Sequence, residues 1–410
     1  MNNMFYHIYC RVFQKALLVA SPFMPYKKQR LITGEKSILS LPSILKEEGR
    51  QKICIISDSH VIALDIVKEL LDTLKEKQIS FVIFDKVPPN PTVEAIQMAK
   101  EFFMKSESDT LVAIGGGSSI DTAKAVGALV SYPTKSLHQM KGLLKVLRAI
   151  PFLIAIPSTA GTGSEATVAA VVTDPQNKEK YAINSFPLIP KVAILDPLLT
   201  ITLPPHLTST TAMDALTHAI EAYIGKSTNA YSRKASIDAT TIIFKEIETV
   251  FRDPTNILSR QHMLTASYRG GEAFTRSYVG NVHALSHPLS ANYHIPHGLA
   301  NAVTLPHVLT YYGKGAHKRL ASLARQSYVV ENGKSDEETA LIFIEKIKEL
   351  NRKLDIPDFF NEIQEKDLKS MIHHALKEAN PLYPVPVIFD EEDCKNVYHL
   401  MMKKDSIKSS

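Results

Sequence analysis

Short, continuously apolar runs recur along the first half of the chain: KICIISD at 52–58, SFVIFDKV at 80–87, TLVAIGGG at 110–117, PFLIAIPST at 151–159 and VAILDP at 192–197. Runs of this kind, rich in β-branched residues, read as parallel strands covered on both faces. Between them lie stretches of helical period such as Val61–Lys75 and Val93–Lys105, so the pattern predicts right-handed βαβ units. After Pro204-Pro205 long helical patterns take over and no strand is expected. Breaks fall near Gly225, Pro254, Gly270-Gly271, Pro288 and Pro296. An α/β domain at 31–204 followed by an all-α domain at 205–410 is the expected organisation.

Residues 1–30 form a separate extension. Phe5, Ile8, Tyr9, Val12, Phe13, Ala16 and Ala20 share one helical face, with Arg11 and Lys15 off it, and Pro22 and Pro25 end the helix. The apolar stripe is expected to pack on the protein itself or on a partner subunit. Contact with a membrane surface is the second reading, supported by Arg11, Lys15, Lys27, Lys28 and Arg30. The uncharged run Ala16–Tyr26 is far shorter than the ~20 apolar residues of a membrane span. Charges inside the apolar region also argue against a secretory signal, which leaves a cytoplasmic location. Only the lysine-rich tail at 403–410 reads as unstructured.

Composition narrows the class. With 45% hydrophobic and 22% charged residues the chain is an ordinary globular protein. Its 47 basic against 42 acidic residues give a net charge of +5, too small at this length for a nucleic-acid footprint. Cys10, Cys54 and Cys394 are too dispersed for a disulfide framework or a CxxC metal site, and fit a reducing compartment.

The candidate chemistry begins at AIGGGSSIDTAKA, 113–125. Gly115, Gly116 and Gly117 follow a buried strand and precede a helix, which exposes backbone N–H groups to a phosphate at the helix N-terminus. The sequence is neither the spaced G-x-G-x-x-G fingerprint nor a P-loop. A second small-residue loop, IPSTAGTGSEAT at 156–167, carries hydroxyls on Ser158, Thr159, Thr162 and Ser164, with Gly161 and Gly163 allowing close approach to a ligand. Two such loops at strand ends form the ligand edge of an open α/β sheet. Asp58, ending the first of the runs above, either accepts from ribose hydroxyls or caps the helix that follows.

In TTAMDALTHAIEAY, Asp214 and His218 stand four apart on one helical face. In NVHALSHPLSANYHIPHG, His283, His287, His294 and His297 cluster; the first pair shares a face, and Pro288 to Pro296 turn the chain so that His297 returns. One carboxylate with three imidazoles suits a divalent ion such as Fe(II) or Zn.

In this order and spacing, GGGSSIDTAKA, IPSTAGTGSEAT, DALTHAIEAY and HALSHPLSANYHIPHGLANA resemble the iron-containing (group III) alcohol dehydrogenases over about residues 31–400. The resemblance implies a Rossmann-like dinucleotide-binding α/β domain, a helical metal-binding domain, and a divalent metal in the cleft between them. It implies metal ligation by Asp214, His218, His283 and His297, with Fe(II) ahead of Zn. His287 matches a non-ligand histidine near nicotinamide and substrate; it either relays the released proton or hydrogen-bonds cofactor or water. Gly115, Gly116, Gly117 and Ser118 match the pyrophosphate turn, Thr159, Thr162 and Lys180 line the cofactor, and Asn90 lies in a loop near the adenosine. Asp58 matches the acidic position that favours NAD over NADP.

The implied activity is hydride transfer between nicotinamide and a small primary alcohol or aldehyde, in a homodimer or larger homo-oligomer without nucleic acid. The alternatives are a polyol dehydrogenase acting on glycerol or a propanediol and, further off, a metal-dependent lyase of the related synthase type. Three departures stand out: Ser290 replaces a glycine common in the family, Glu378-Ala379-Asn380-Pro381 replaces the usual Thr-Asn-Pro motif, and most members lack the extension 1–30.

Overall fold

The computed structural model describes residues 3–26, 29–176 and 179–402; Lys27, Lys28 and the tail at 403–410 lie outside the described residues. The chain divides into two compact units. One comprises Pro25–Leu203 with Asp253–Gly271, and the other the remaining described residues. A linear split at 204 assigns 253–271 to the helical half.

Helix α1 (Asn3–Ala20) opens the chain and belongs to the helical unit. The α/β unit runs β1 (Arg30–Thr33), α2 (Leu41–Glu47), β2 (Lys52–Ile56), α3 (Ser59–Ile62), α4 (Asp65–Glu76), β3 (Ser80–Phe84), α5 (Val93–Lys105), β4 (Thr110–Gly115) and α6 (Gly117–Ser131). It continues through α7 (Leu137–Met140), β5 (Gly142–Leu143), β6 (Phe152–Pro157), β7 (Ala169–Asp174), β8 (Glu179–Asn184) and β9 (Val192–Leu195). Six strands form a parallel sheet in the order β1-β9-β6-β4-β2-β3.

Alternate residues of the central strands feed two cores. Cys54, Ile56, Leu111, Ala113, Leu153 and Ala155 pack with Ile96, Phe103 and Val126 from α5 and α6. Ile53, Ile55, Val112, Ile114, Ile154 and Ile156 pack with Leu41, Val67, Leu70 and Leu74 from α2 and α4. Burial on both faces is why these strands read as unbroken apolar runs.

A second sheet, β5-β8-β7, contains an antiparallel pair that the run-based reading passes over. Its strands bury only alternate residues, such as Ala170, Val172, Tyr181 and Ile183, so each looks half polar. The helix expected over 61–75 is broken as well, into α3 and α4.

The helical unit continues with α8 (Pro205–Ile224), α9 (Ala230–Arg252), α10 (Ile257–Ser277), α11 (Asn281–Tyr293), α12 (His297–Tyr312), α13 (Lys314–Gln326), α14 (Asp336–Lys353), α15 (Glu365–Ala379) and α16 (Glu391–Met401). The first part of α10 lies in the α/β unit. Two expected breaks are absent. Pro288 sits inside α11, and the turn before α12 is made at His294, whose φ of 57° is left-handed, and at Pro296. Ser290 therefore lies within a helix rather than in a turn.

Gly270-Gly271 lies inside α10, and its smallness serves packing. A Cβ on Gly163, where φ is +60°, would stand 2.7 Å from Gly271 Cα and 2.7 Å from Ser267 O. The glycine at 163 thus admits a helix backbone, not a ligand as its loop suggested.

The face that α1 buries is not its apolar stripe. Cys10 and Gln14 are buried, whereas Phe5, Ile8, Tyr9, Val12 and Val19 are exposed. Among the described residues no helix is long and apolar enough to cross a membrane.

Gly163→Ala should cost about 2–3 kcal/mol, since the clash is with backbone and the φ is left-handed. A fall in the urea midpoint at unchanged slope checks this; an unaltered midpoint would mean that the two backbones separate freely.

Candidate active site

The α/β unit gathers small and polar residues at the end of β4. Gly115 has φ +151°, and a Cβ there would lie 2.4 Å from Ser119 Oγ, so only glycine fits. Thr159 and Thr162 stand over the next two glycines: a Cβ would meet Thr159 Oγ1 at 3.6 Å from Gly116 and Thr162 Oγ1 at 2.9 Å from Gly117. Ser118 Oγ donates to Pro89 O, and Lys180 Nζ donates to Asn90 Oδ1 at 3.3 Å. The structure thus brings Gly115–Ser118, Thr159 and Thr162 together, and ties the Asn90 loop and Lys180 to their edge. With α6 starting at Gly117, the turn lies at a helix N-terminus, where backbone N–H groups favour an anion.

Asp58 performs the capping role. Its Oδ1 accepts from His60 N and Val61 N, both at 3.0 Å, at the start of α3. Oδ2 faces the glycine turn, 3.7 Å from where a Gly115 Cβ would be. One oxygen serves the helix and the other lies by that turn.

The sequence pattern does not single out Lys124, yet it holds the second loop. Its fully buried ammonium donates to Ser164 O, Thr167 O, Thr167 Oγ1 and Ala169 O between 2.6 and 2.9 Å, and to Ser164 Oγ at 3.2 Å. Asp121, one turn earlier, accepts from Ser164 Oγ at 2.5 Å and Val171 N at 3.1 Å. Burial lowers the Lys124 amine to about 8, against the attraction of Asp121 and Glu165, and burial raises the Glu165 carboxyl to about 7. The overlooked signal is an Asp-x-x-Lys pair in an otherwise small and apolar helix.

In the helical unit, Asp214 from α8, His283 from α11 and His297 from α12 converge, with one ligand atom of each within 4.8 Å of the others. Asp214 Oδ1 lies 3.8 Å from His283 Nε2 and 3.6 Å from His297 Nε2. His218 stands beside this trio rather than in it: Nε2 is 3.9 Å from Asp214 Oδ1, and the ring stacks between Phe274 and His283. His294 is exposed at the turn and takes no part. Gly298 permits the approach of α12 to α8, since a Cβ there would fall 2.4 Å from Thr210 O.

Two partners absent from the predicted set orient these side chains. Buried Glu221 accepts from Val282 N at 2.7 Å through Oε1 and from His283 Nδ1 at 2.6 Å through Oε2, which leaves the His283 Nε2 lone pair toward the cluster. Burial alone would depress the His283 imidazole; the bond to Glu221 and the charges of Glu221 and Asp214 outweigh it and hold the pKa above its usual value. Asn301 Nδ2 lies 2.7 Å from Asp214 Oδ1 and 3.2 Å from both His283 Nε2 and His297 Nε2, while its Oδ1 is buried without a hydrogen-bond partner. Three acceptors thus compete for two amide hydrogens, which leaves acceptor capacity over. Spacing is the available signal: Glu221 follows Asp214 by seven positions on one helix, and Asn301 follows His297 by four.

His287 stacks on His297, with ring centroids 5.1 Å apart, and donates from Nδ1 to Glu378 Oε1 at 2.7 Å. Tyr383 donates its hydroxyl to the same oxygen at 2.7 Å. Burial would raise the Glu378 carboxyl, but His287 and these two bonds hold it below the usual range. Glu378 directly precedes Ala379, which stands where the family motif has threonine.

The chain combines a parallel α/β unit that carries a glycine turn at a helix N-terminus with a helical unit in which Asp214, His283 and His297 converge. The family model for iron-containing alcohol dehydrogenase matches residues 28–197, and that for the C-terminal part of the Fe-containing alcohol dehydrogenase family matches 208–402. The chain belongs to the iron-containing alcohol dehydrogenase family. It is 35% identical over 351 residues to a 1,3-propanediol dehydrogenase of Citrobacter freundii, covering 85% of this chain and 90% of that one. It is 34% identical over 337 residues to an NADPH-dependent butanol dehydrogenase of Clostridium saccharobutylicum, covering 81% and 86%. The crystal structure of a 1,3-propanediol oxidoreductase superposes with a TM-score of 0.87 at 31% identity, covering 92% of this chain and all of the other.

Lys124→Met should destabilise the protein by about 3–5 kcal/mol, because it strips five acceptors and leaves Asp121 and Glu165 uncompensated. Urea unfolding measures this, and an unchanged midpoint would show the loop to be held by other means.

Proposed function

We propose that this protein interconverts small primary alcohols and aldehydes by hydride transfer to and from NAD, using a divalent ion, Fe(II) before Zn, held by Asp214, His218, His283 and His297. The observation that carries the reading is the convergence of Asp214, His283 and His297 in a member of this family. The relative named as a 1,3-propanediol dehydrogenase supports a diol as a second substrate class.

The donor set fits such an ion: a carboxylate and imidazoles, with no sulfur, and more acceptors than the one amide can serve. A divalent ion there supplies Lewis acidity that lowers the pKa of an alcohol oxygen. Glu221 keeps His283 in the Nδ1–H tautomer, so that Nε2 remains a ligand atom. Glu378 does the same for His287, whose Nε2 is left as the acceptor of the alcohol proton. In the α/β unit, Gly115–Ser118 at the N-terminus of α6 hold the pyrophosphate, with Thr159, Thr162, Lys180 and Asn90 around the cofactor. Hydride chemistry belongs to the nicotinamide, and the protein contributes orientation and charge. We place the enzyme in the cytoplasm, a setting suited to three free, buried cysteines. A homo-oligomer is supported by the exposed apolar residues of α1, since contiguous apolar patches mark contacts between chains.

Asp214→Ala and His297→Ala should each abolish bound metal and turnover while leaving a folded protein. Metal analysis of the purified variants beside their far-ultraviolet circular dichroism decides the point, and full metal content with full turnover in either would overturn the ligand set.

Asp58→Asn tests the cofactor choice, because asparagine preserves the cap on α3 and removes only the charge. The carboxylate repels a 2′-phosphate by an amount worth roughly 1–3 kcal/mol. The ratio of kcat/KM for NADH over NADPH should therefore fall about five- to hundredfold with thermal stability retained. An unchanged ratio would confine Asp58 to its capping role.

A further inference from the structure

Residues 381–387 read PLYPVPV, and three prolines among them lack the N–H that a strand or helix needs. The carbonyls of such a segment still require donors where water is excluded. Side chains from the other end of the chain supply most of them. Gln14 Nε2 donates to Tyr383 O at 2.8 Å and to Pro381 O at 3.3 Å. Arg11 donates from Nη1 to Val385 O at 2.6 Å and from Nη2 to Pro386 O at 3.0 Å, and a second Nη1 contact, 2.8 Å to Gln14 Oε1, joins the two donors. Other donors serve Pro384 O, from Lys226 N at 2.5 Å, and Val387 O, from Asn281 Nδ2 at 3.2 Å, while Val385 N adds a 2.8 Å bond to Tyr383 O.

The segment held in this way carries Tyr383. Its hydroxyl and His287 Nδ1 share Glu378 Oε1, each at 2.7 Å. A continuous chain of hydrogen bonds and covalent backbone thus runs from α1 to the imidazole stacked on His297.

We propose that Arg11 and Gln14 are positioning residues for His287, acting through residues 381–386, Tyr383 and Glu378. This rests on the reading of His287 as the proton acceptor. Gln14 is 3% exposed, so its amide is committed to the segment rather than to solvent. The helix presents its two donors inward and leaves its apolar stripe outside, an arrangement that hydrophobic burial alone would reverse. The extension is a brace, and Glu378 is the point at which it reaches the site.

The test uses the full-length, metal-loaded enzyme and a double-mutant cycle. Arg11→Ala/Gln14→Ala and Tyr383→Phe are each made in the parent and in His287→Ala, with kcat, KM for NADH and aldehyde, and bound metal measured for all. In the parent both changes should lower kcat on the order of tenfold, with KM for NADH and metal content unchanged. In His287→Ala neither should lower kcat further, because the group they position is gone. Arg11→Lys should keep more activity than Arg11→Ala, since an ammonium still donates to carbonyls. Tyr383→Phe removes one hydroxyl and serves if the double substitution does not fold. A parental kcat in both variants, or equal losses in both backgrounds, overturns the brace while leaving the role of His287 standing. A parental kcat in His287→Ala itself overturns the proton-acceptor reading and the brace together.

Discussion

Lone pairs that face one another out of water repel, and the helical unit is built around one such arrangement. Asp214 Oδ1 and the Nε2 atoms of His283 and His297 come from three helices to within 4.8 Å. Such a cluster persists only if each member is held from behind. Glu221 grips His283 by Nδ1, Asn301 lies across all three acceptors, and Gly298 lets α12 close on α8. Replacing any of these partners would act on the cluster without touching a ligand.

The same demand, that a buried acceptor find a donor, explains features remote from the cluster. Lys124 gives its ammonium to carbonyls of the segment 164–169, and Arg11 and Gln14 do so for a proline-rich segment. In both cases a side chain replaces or supplements the backbone N–H that regular structure would provide. The exposed stripe of α1 follows: the helix is oriented by the carbonyls it must serve, and its apolar residues are left on the outer face of the single chain.

Much of the fold is legible in the sequence because burial on two faces writes a strand as an unbroken apolar run, as in β4 and β6. The β7–β8 pair escapes because one-sided burial halves that signal. Pro288 and Gly270-Gly271 read as breaks because local propensity knows nothing of neighbours; α11 tolerates the proline, and α10 needs Gly271 for the approach of Gly163. In the site, residues with metal-ligand spacing are conspicuous, being rare types at helical intervals. Glu221, Asn301, Glu378 and Lys124 are not, since a lone Glu, Asn or Lys on a helix normally means solvent. Their meaning comes in large part from distant partners, such as Thr167, 43 positions from Lys124, and His287, 91 from Glu378, and only the folded chain supplies those.

The burial of Lys124 has a consequence for covalent chemistry. Amine-directed acylating reagents attack the free base, and the many surface lysines of this protein meet them directly. Lys124 is enclosed with five acceptors around its nitrogen, so acylation there waits for the loop at 158–169 to open. Its labelling rate is then the opening equilibrium multiplied by the intrinsic rate of an ordinary lysine. One side chain thereby turns a mass-spectrometric time course into a clock for local unfolding beside the glycine turn, and any ligand that steadies the loop would slow that clock.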